Sequence, residues 1–564
     1  MMSTKRDVGI SVGIGFITMA VYVNTLYPSL PGGDSGELIL AAHELGVAHP
    51  PGYPVFTLLA HVAMVIVPFG NIAWRVNLLS AMFGSVSAAT IYQTSAKLTG
   101  SVAAGILASG LFAFSRLTWV WSITAEVFSL NNLFVSLLML LAVCLEQTKS
   151  VKASSQIALL GSFTCGLCLC NQHTSVIYIA CLVPWVFSML YKSQTLTWTL
   201  FIKLCLCFVA GLTPYVYIPL SAHANVARWT WGDQRTFPGF VTHLLREEYG
   251  TFQLLKDHSG QTLLENIRKY VDHVRAEYSI LILPLMVFTV PSVCKRLVSG
   301  HHRSVGVFSV MFLVYVVFFA WRANLDVKNP LLLGVVERFW MQSDLVLVIL
   351  LAVAFGHLVC LVSTYIPLDH LKLDVILSVA VVAFQIQRNY ALCDQTGNLV
   401  IEDFANSVLH SLPKDSMLLT EGDLSATSLR YFQLCEHTRP DLAIFDQQIL
   451  TYEWSLAMTR TFHSKIVFPG DVFHLHNGKM PDGKVSFNFK CLLDVNYEKP
   501  IFTCIGVQVQ DPSWKNYYDL WPYGTCHQII KKDSNFNVKE WVQQTKDISK
   551  DWNYDFYGYK CQIQ

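Results

Sequence analysis

The chain is 564 residues long, 53% hydrophobic and only 14% charged, against the quarter or so of charged residues usual in soluble domains, and its mean hydropathy is +0.41. It is therefore a membrane protein. A formal net charge of +1, with no basic block or base-stacking motif, argues against nucleic acid as a partner.

Residues 8–27 are the first expected span, since about 20 residues cross the hydrocarbon core and Lys5 and Arg6 precede the run. The run is too long, and lacks the small-residue cleavage site, for a removed signal peptide. With the basic end inside, the N-terminus is cytosolic and the next loop is outside or lumenal.

That loop opens with residues 31–56, PGGDSGELILAAHELGVAHPPGYPVF. Asp34 and Glu37 lie three apart behind a Pro-Gly-Gly turn, where glycines 32 and 33 allow backbone geometries that residues with a Cβ avoid. Asp34 or Ser35 can cap a short helix with Glu37 in its first turn, a purely structural use of the pair. An acid pair at the membrane face, followed by His49, Pro50, Pro51 and Pro54, is an odd way merely to begin a helix, and points to the floor of an active site.

The run 55–69 is short, is broken by Pro54 and Pro68, and contains His61. Counted as a span, it puts Lys97, Lys149, Lys152, Lys295, Arg296 and Arg303 outside; read as an interfacial helix on the lumenal surface, it returns each of them to the cytosol. The remaining spans are then 76–96, 101–115, 124–145, 156–171, 174–191, 199–221, 278–294, 304–321, 341–364 and 371–388, about eleven in all, with a lumenal C-terminus. Several have only about 15 or 16 residues, so they require tilting or a thinned bilayer.

This parity gathers the polar groups on one face. They are Arg75, the turn 116–132 (RLTWVWSITAEVFSLNN), the break around His173, the loop 222–277 with WTWGD at 229–233, and the segment 322–340. The aromatics of that loop fit an interfacial belt or a substrate contact equally well. From Asn389 onward hydropathy falls, and SMLLTEGDLSATSLRYFQLC followed by RPDLAIFDQQIL has a βαβ rhythm around a Gly-Asp turn. No GxGxxG or P-loop accompanies that turn. The predicted fold is an α-helical polytopic membrane domain over 1–388, with a first lumenal loop at 28–75, and a lumenal α/β domain over 389–564.

Ten of the fifteen cysteines, Cys144 through Cys393, lie within or beside apolar runs and read as small hydrophobes. Cys165, Cys168 and Cys170 look like a metal cluster, but a structural zinc needs a fourth ligand and a closed shell, and an apolar helix surrounds them. The other five, Cys435, Cys491, Cys504, Cys526 and Cys561, show no CxxC spacing, and their odd number leaves any pairing open.

Ionisable groups at membrane depth are costly, and Arg116, Glu126, His173, Arg322, Glu337 and Arg338 all flank or enter apolar runs. Each alone is explained as well by a salt bridge or by snorkelling. Together with Asp34 and Glu37 they describe a lumenal pocket holding both acids and cations. Such a pocket suits transfer of a group from a phosphate leaving group to a hydroxyl: a carboxylate takes the acceptor's proton while Arg or His neutralises charge growing on the phosphate.

GGDSGEL, its spacing to GVAHPPGYPVF, then WRVNLLSAMFG and WSITAEVFSLN, resemble the multispanning GT-C-type protein O-mannosyltransferase family, most closely the vertebrate branch acting on IPT domains of plexins and hepatocyte-growth-factor-type receptors. The resemblance covers roughly residues 8–390. Asp34 and Glu37 match the family's acidic motif in the first lumenal loop, 49–69 matches its juxtamembrane element, and Glu126 is the acid of the AEVFSLN segment. The resemblance implies an inverting enzyme of the endoplasmic reticulum membrane that takes mannose from dolichyl phosphate mannose to Ser/Thr hydroxyls of folded IPT domains. Asp34 is then the general base and Glu37 supports it or positions the acceptor. The phosphate-holding cations come from Arg116, His173, Arg322 and Arg338, with His49, Arg75 and Glu126 as further substrate-binding residues. Such cations suffice for one phosphate, so no obligatory metal is expected, although an acid pair leaves room for Mg²⁺ or Mn²⁺. Some family members extend past the position of Gln564, which leaves room for a further C-terminal module. Rival readings are a polytopic secondary transporter, a lipid-linked-sugar transferase with a non-protein acceptor, and a membrane scaffold displaying the α/β domain.

Overall fold

The computed structural model describes residues 3–250, 260–299, 303–364, 372–507 and 511–550. Helices lie on all eleven apolar runs. Among the described residues six are long and apolar enough to cross a membrane: Lys5–Val23, Val127–Gln147, His173–Lys192, Ser304–Arg322, Trp340–Ser363 and Leu373–Cys393. The number rises to eight if each of two bent pairs is one span, Val102–Ala113 with Arg116–Ser122 (67°) and Trp198–Gly211 with Thr213–Ala224 (40°). Length and apolarity alone thus account for six to eight of the eleven expected spans.

The reason is visible in Ile72–Thr99, a 28-residue helix packed among its neighbours in the bundle. Its buried face carries Ser80, Ser85, Ser87, Thr90, Thr94 and Ser95, and the hydroxyls of Ser85, Ser87, Thr90 and Thr94 each donate to the carbonyl four residues earlier. A helix surrounded by helices needs no apolar coat. The helix Pro54–Ile66 has 13 residues, about 20 Å of rise against a hydrocarbon core of about 30 Å, and is too short to cross.

After the membrane helices the chain forms a mixed five-stranded sheet. β1 (Met417–Thr420), β2 (Ala443–Asp446), β3 (Val472–Phe473), β4 (Gly478–Lys479), β5 (Val485–Phe487), β6 (Ile501–Cys504), β7 (Tyr518–Tyr523) and β8 (Cys526–Lys531) follow one another, and the larger sheet has the order β2-β1-β6-β8-β7. β1 pairs in parallel with both β2 and β6, and β8 runs antiparallel to β6 and β7. The crossover from β1 to β2 is the helix Asp423–Leu434, which packs on Ser35–Glu44 of the first loop.

Three groups of contacts tie these regions together. A Cβ on Gly36 would stand 2.9 Å from Thr427 Oγ1, so glycine is what lets the two helices meet. Tyr431 donates its hydroxyl to Glu436 (2.6 Å) and accepts from the Ala73 amide (3.0 Å). Arg228 grips both Glu44 carboxylate oxygens at 2.9 and 2.6 Å. One apolar cluster runs through the seam, from Leu38 and Ile39 to Leu418, Leu429 and Phe432.

Candidate active site

Asp34 occupies the N-cap position of Ser35–Glu44, yet its side chain makes no capping bond. It faces Arg338 instead, whose Nη1 donates to Asp34 Oδ2 at 2.9 Å and to Glu126 Oε1 at 3.2 Å. Arg338 ends the short helix Pro330–Glu337, which Asn329 caps by accepting from the Leu331 amide. Its guanidinium lies over the rings of Trp121 (5.4 Å) and Phe128 (5.5 Å), which hold a cation by its charge and its flat face. Glu126 is the N-cap of Val127–Gln147, with Oε2 accepting from the Val127 amide at 3.3 Å. One guanidinium thus bridges two carboxylates from separate elements. Burial alone pushes the Asp34 carboxyl upward, but Arg338 and then His49 outweigh it and hold the group below the usual carboxylate range.

Glu37 is not a capping-box residue either. It accepts from the His49 backbone amide (2.6 Å) and pairs with His49 Nδ1 (2.9 Å). Burial disfavours the charged imidazole, yet Glu37, followed by Tyr53 and Asp34, outweighs it, so His49 stays protonated well above its ordinary value. The imidazolium then donates from Nε2 to the Tyr53 hydroxyl at 3.2 Å. His173 is oriented through Tyr215: the Tyr215 hydroxyl donates to the Leu169 carbonyl (2.6 Å) and so accepts from His173 Nε2 (2.7 Å).

Asp34, Glu37, His49, Glu126, His173 and Arg338 all line one cavity of about 270 Å³. The other three expected residues lie outside this lining. Arg75 donates to the carbonyls of Met64 (2.7 Å) and Gly70 (3.1 Å), closing the turn after Pro54–Ile66. Arg116 pairs with Glu277 (3.4 Å) and Glu337 (3.6 Å), and Arg322 sits 5.0 Å over the Trp321 ring.

Sequence reasoning missed several lining residues. Arg246 adds a second guanidinium, and Trp231 and Tyr249 come with it from the loop between the helices Tyr217–Ala224 and Leu263–Ser299. Their signal was the WTWGD motif, read without a preference between belt and contact. Asp423 comes from the far side of the chain, out of the Gly-Asp turn that opens the crossover helix. Burial, reinforced by Asp34, Glu37 and Asp446, pushes its carboxyl up to about 6.

The cavity therefore holds four acids with Arg338, Arg246 and His49, against an apolar side formed by Leu325, Leu332, Val335 and Phe339. That lining can receive a phosphate joined to an apolar tail and deprotonate a hydroxyl beside it. Among the described residues no group of three or more His, Cys, Asp or Glu side chains is placed to hold a metal ion. Cys168 and Cys170 point their thiols at separate partners, Asn131 Oδ1 (3.9 Å) and the Gly211 carbonyl (3.6 Å).

Residues 34–197 match the family described as the protein O-mannosyl-transferase TMEM260 N-terminal domain, and residues 401–467 match TMEM260-associated domain 2. The first match begins at Asp34 and the second contains Asp423. Protein O-mannosyl-transferase TMEM260 of Mus musculus is 47% identical over 540 residues, 95% of this chain and 76% of the mouse protein. The Dictyostelium discoideum protein of the same description is 34% identical over 563 residues, covering 93% of this chain and 67% of its own length. Among solved structures, ArnT from Cupriavidus metallidurans bound to undecaprenyl phosphate superposes with a TM-score of 0.58 at 12% identity, over 94% of this chain and 98% of ArnT. That likeness establishes the GT-C-type fold.

Proposed function

Because the chain belongs to the TMEM260 family of protein O-mannosyl-transferases, we propose that it moves mannose from dolichyl phosphate mannose to Ser or Thr hydroxyls of receptor IPT domains in the lumen of the endoplasmic reticulum. The observation that carries this reading is the placement of an ionised Asp34 beside Arg338 in a cavity with one apolar side. The acceptor oxygen attacks the anomeric carbon as its proton passes to the Asp34 carboxylate. The bond from that carbon to the phosphate oxygen breaks, and the electron pair leaves with dolichyl phosphate. Arg338 and Arg246 neutralise the phosphate, and the Leu325–Phe339 side receives the start of the prenyl tail. A single displacement needs one base and no enzyme nucleophile, and it inverts the anomeric centre. His49, held cationic by Glu37, keeps a positive charge next to Asp34 and lowers the cost of its ionised form. Side-chain cations do the work that a metal would do at the phosphate, so no obligatory metal is part of this reading.

In this reading the N-terminus is cytosolic, and the division at 388/389 separates the membrane domain from a lumenal α/β domain. Family membership sets aside the transporter and scaffold alternatives. The test is incubation of the purified protein with radiolabelled dolichyl phosphate mannose and a recombinant IPT domain. The expected product carries label on Ser or Thr with the anomeric configuration opposite to the donor's. Label that stays off the polypeptide, or a retained configuration, contradicts the reading.

A further inference from the structure

Asp423 is the cavity-lining residue that comes from beyond position 389; the residue is exposed at the first position of its helix, while the protein crowded around its carboxyl in the cavity limits the hydration of that group. Its carboxylate makes no ion pair or hydrogen bond among the described residues, although Asp34, Glu37 and Asp446 all repel it. Next to it, a wall of rings crosses the seam between the bundle and the sheet. Trp231 lies 6.3 Å from Tyr249, 6.0 Å from Tyr452 and 5.7 Å from Trp454, and Tyr452 stacks on Trp454 at 5.7 Å. The same Trp231 ring lies 6.5 Å from His49, so the wall reaches the group that flanks the proposed base.

An acid held among like charges, with no cation in contact with it and His49 only partly offsetting the repulsion, favours a ligand that brings hydrogen-bond donors. The lipid-linked donor brings a phosphate, which such an acid repels. A polypeptide brings backbone N–H groups and hydroxyls, and flat rings give it apolar contact at low entropic cost. The geometry points to an acceptor subsite at this seam, in which Asp423 accepts hydrogen bonds from the incoming polypeptide and Trp231, Tyr249, Tyr452 and Trp454 pack against it. This inference rests on the proposed transferase reading and adds a specificity-determining residue to it. Asp423 does not touch the reacting atoms; it sets where the acceptor hydroxyl arrives. The close fit of Gly36 on Thr427, four residues along the same helix, fixes that position relative to Asp34.

The experiment compares wild-type protein with Asp423→Asn, varying donor and acceptor concentrations separately, with dolichyl phosphate mannose and an IPT domain as probes. Transfer of mannose to water in the absence of acceptor is followed in parallel. Asp423→Asn is expected to raise the acceptor KM about tenfold, the loss of one hydrogen bond to a charged group, with donor KM and transfer to water within about twofold of wild type. Tyr452→Ala, which alters the ring wall and leaves the carboxylate in place, is expected to raise the acceptor KM in the same way. An unchanged acceptor KM in both variants overturns the inference, as does an equal loss of transfer to water. Wild-type protein that transfers no mannose to the polypeptide overturns the reading beneath it, and the inference with it.

Discussion

Gly36 and Thr427 approach so closely that a Cβ on the glycine would lie 2.9 Å from the threonine hydroxyl and 3.1 Å from its Cβ. Two positions after the proposed base, the catalytic loop and the α/β region are thus pressed together with no room for a methyl group. Gly36→Ala is expected to lower stability by about 1–3 kcal/mol, the usual cost of overpacking, and to reduce transfer more than donor binding. Thr427→Ala in the same chain removes the nearer contact and should recover part of both losses. Thermal unfolding in detergent and initial rates check this, and a fully stable, fully active Gly36→Ala protein would falsify the close-packing argument.

Arg338 bridges Asp34 and Glu126 with one nitrogen, and Glu126 is only 1% exposed. Removing one partner of a buried ion pair costs about 3–5 kcal/mol, and Arg338→Ala should fall near the lower figure because Asp34 is 31% exposed. Without the guanidinium both carboxylates favour their protonated forms. The variant's deficit relative to wild type should therefore shrink as pH falls from 8 to about 5. A deficit that does not change with pH would mean that the carboxylates do not feel Arg338.

His49 gives a pH dependence of opposite origin. Its proton is held in the folded state by Glu37 well above the ordinary 6.5. The folded protein then binds more protons than the unfolded chain at higher pH, so the pair's stabilisation is complete below about 6.5 and declines as pH rises toward the folded value. The wild type's advantage over His49→Gln should shrink from pH 6.5 upward. Chemical unfolding at several pH values measures it, and a growing advantage over that range would contradict the assignment.

Limited hydration of the Asp423 carboxyl, reinforced by Asp34, Glu37 and Asp446 and opposed by His49, pushes it up to about 6, with Tyr249 and Tyr452 beside it. Its acceptor-binding form is the ionised one. The acceptor KM is expected to rise as pH falls through about 6, and this inflection should vanish in Asp423→Asn while the donor KM profile keeps its shape.

Much of this site was legible in the chain because its chemistry is costly where it stands. Asp34 and Glu37 behind two glycines, Glu126 at the head of an apolar run, and Arg338 and His173 at the ends of others are all polar groups next to hydrocarbon. Six of the nine residues chosen on that basis, or carried over with the family resemblance, line the cavity. The same criterion also selected Arg116 and Arg322, since membrane depth marks a structural ion pair or an interfacial stack as readily as a substrate contact. Arg75 lies outside the cavity for another reason: carbonyls at the end of a short helix need a donor, and no sequence pattern announces which arginine supplies it. Asp423 was invisible because its relevance depends on how one crossover helix packs on Ser35–Glu44, a tertiary fact carried by Gly36 and Thr427. Apolarity alone accounts for fewer spans than the expected eleven where buried helices use Ser and Thr in place of apolar residues, as in Ile72–Thr99.

The most direct measurement is the transfer rate of Asp34→Asn with saturating dolichyl phosphate mannose and IPT domain, alongside a melting curve and donor affinity. The expected result is a folded protein that binds donor and whose kcat falls on the order of 10²-fold or more, the scale of a lost general base. A folded Asp34→Asn protein with near-normal kcat would contradict the role given to Asp34 and, with it, the proposed chemistry of the cavity.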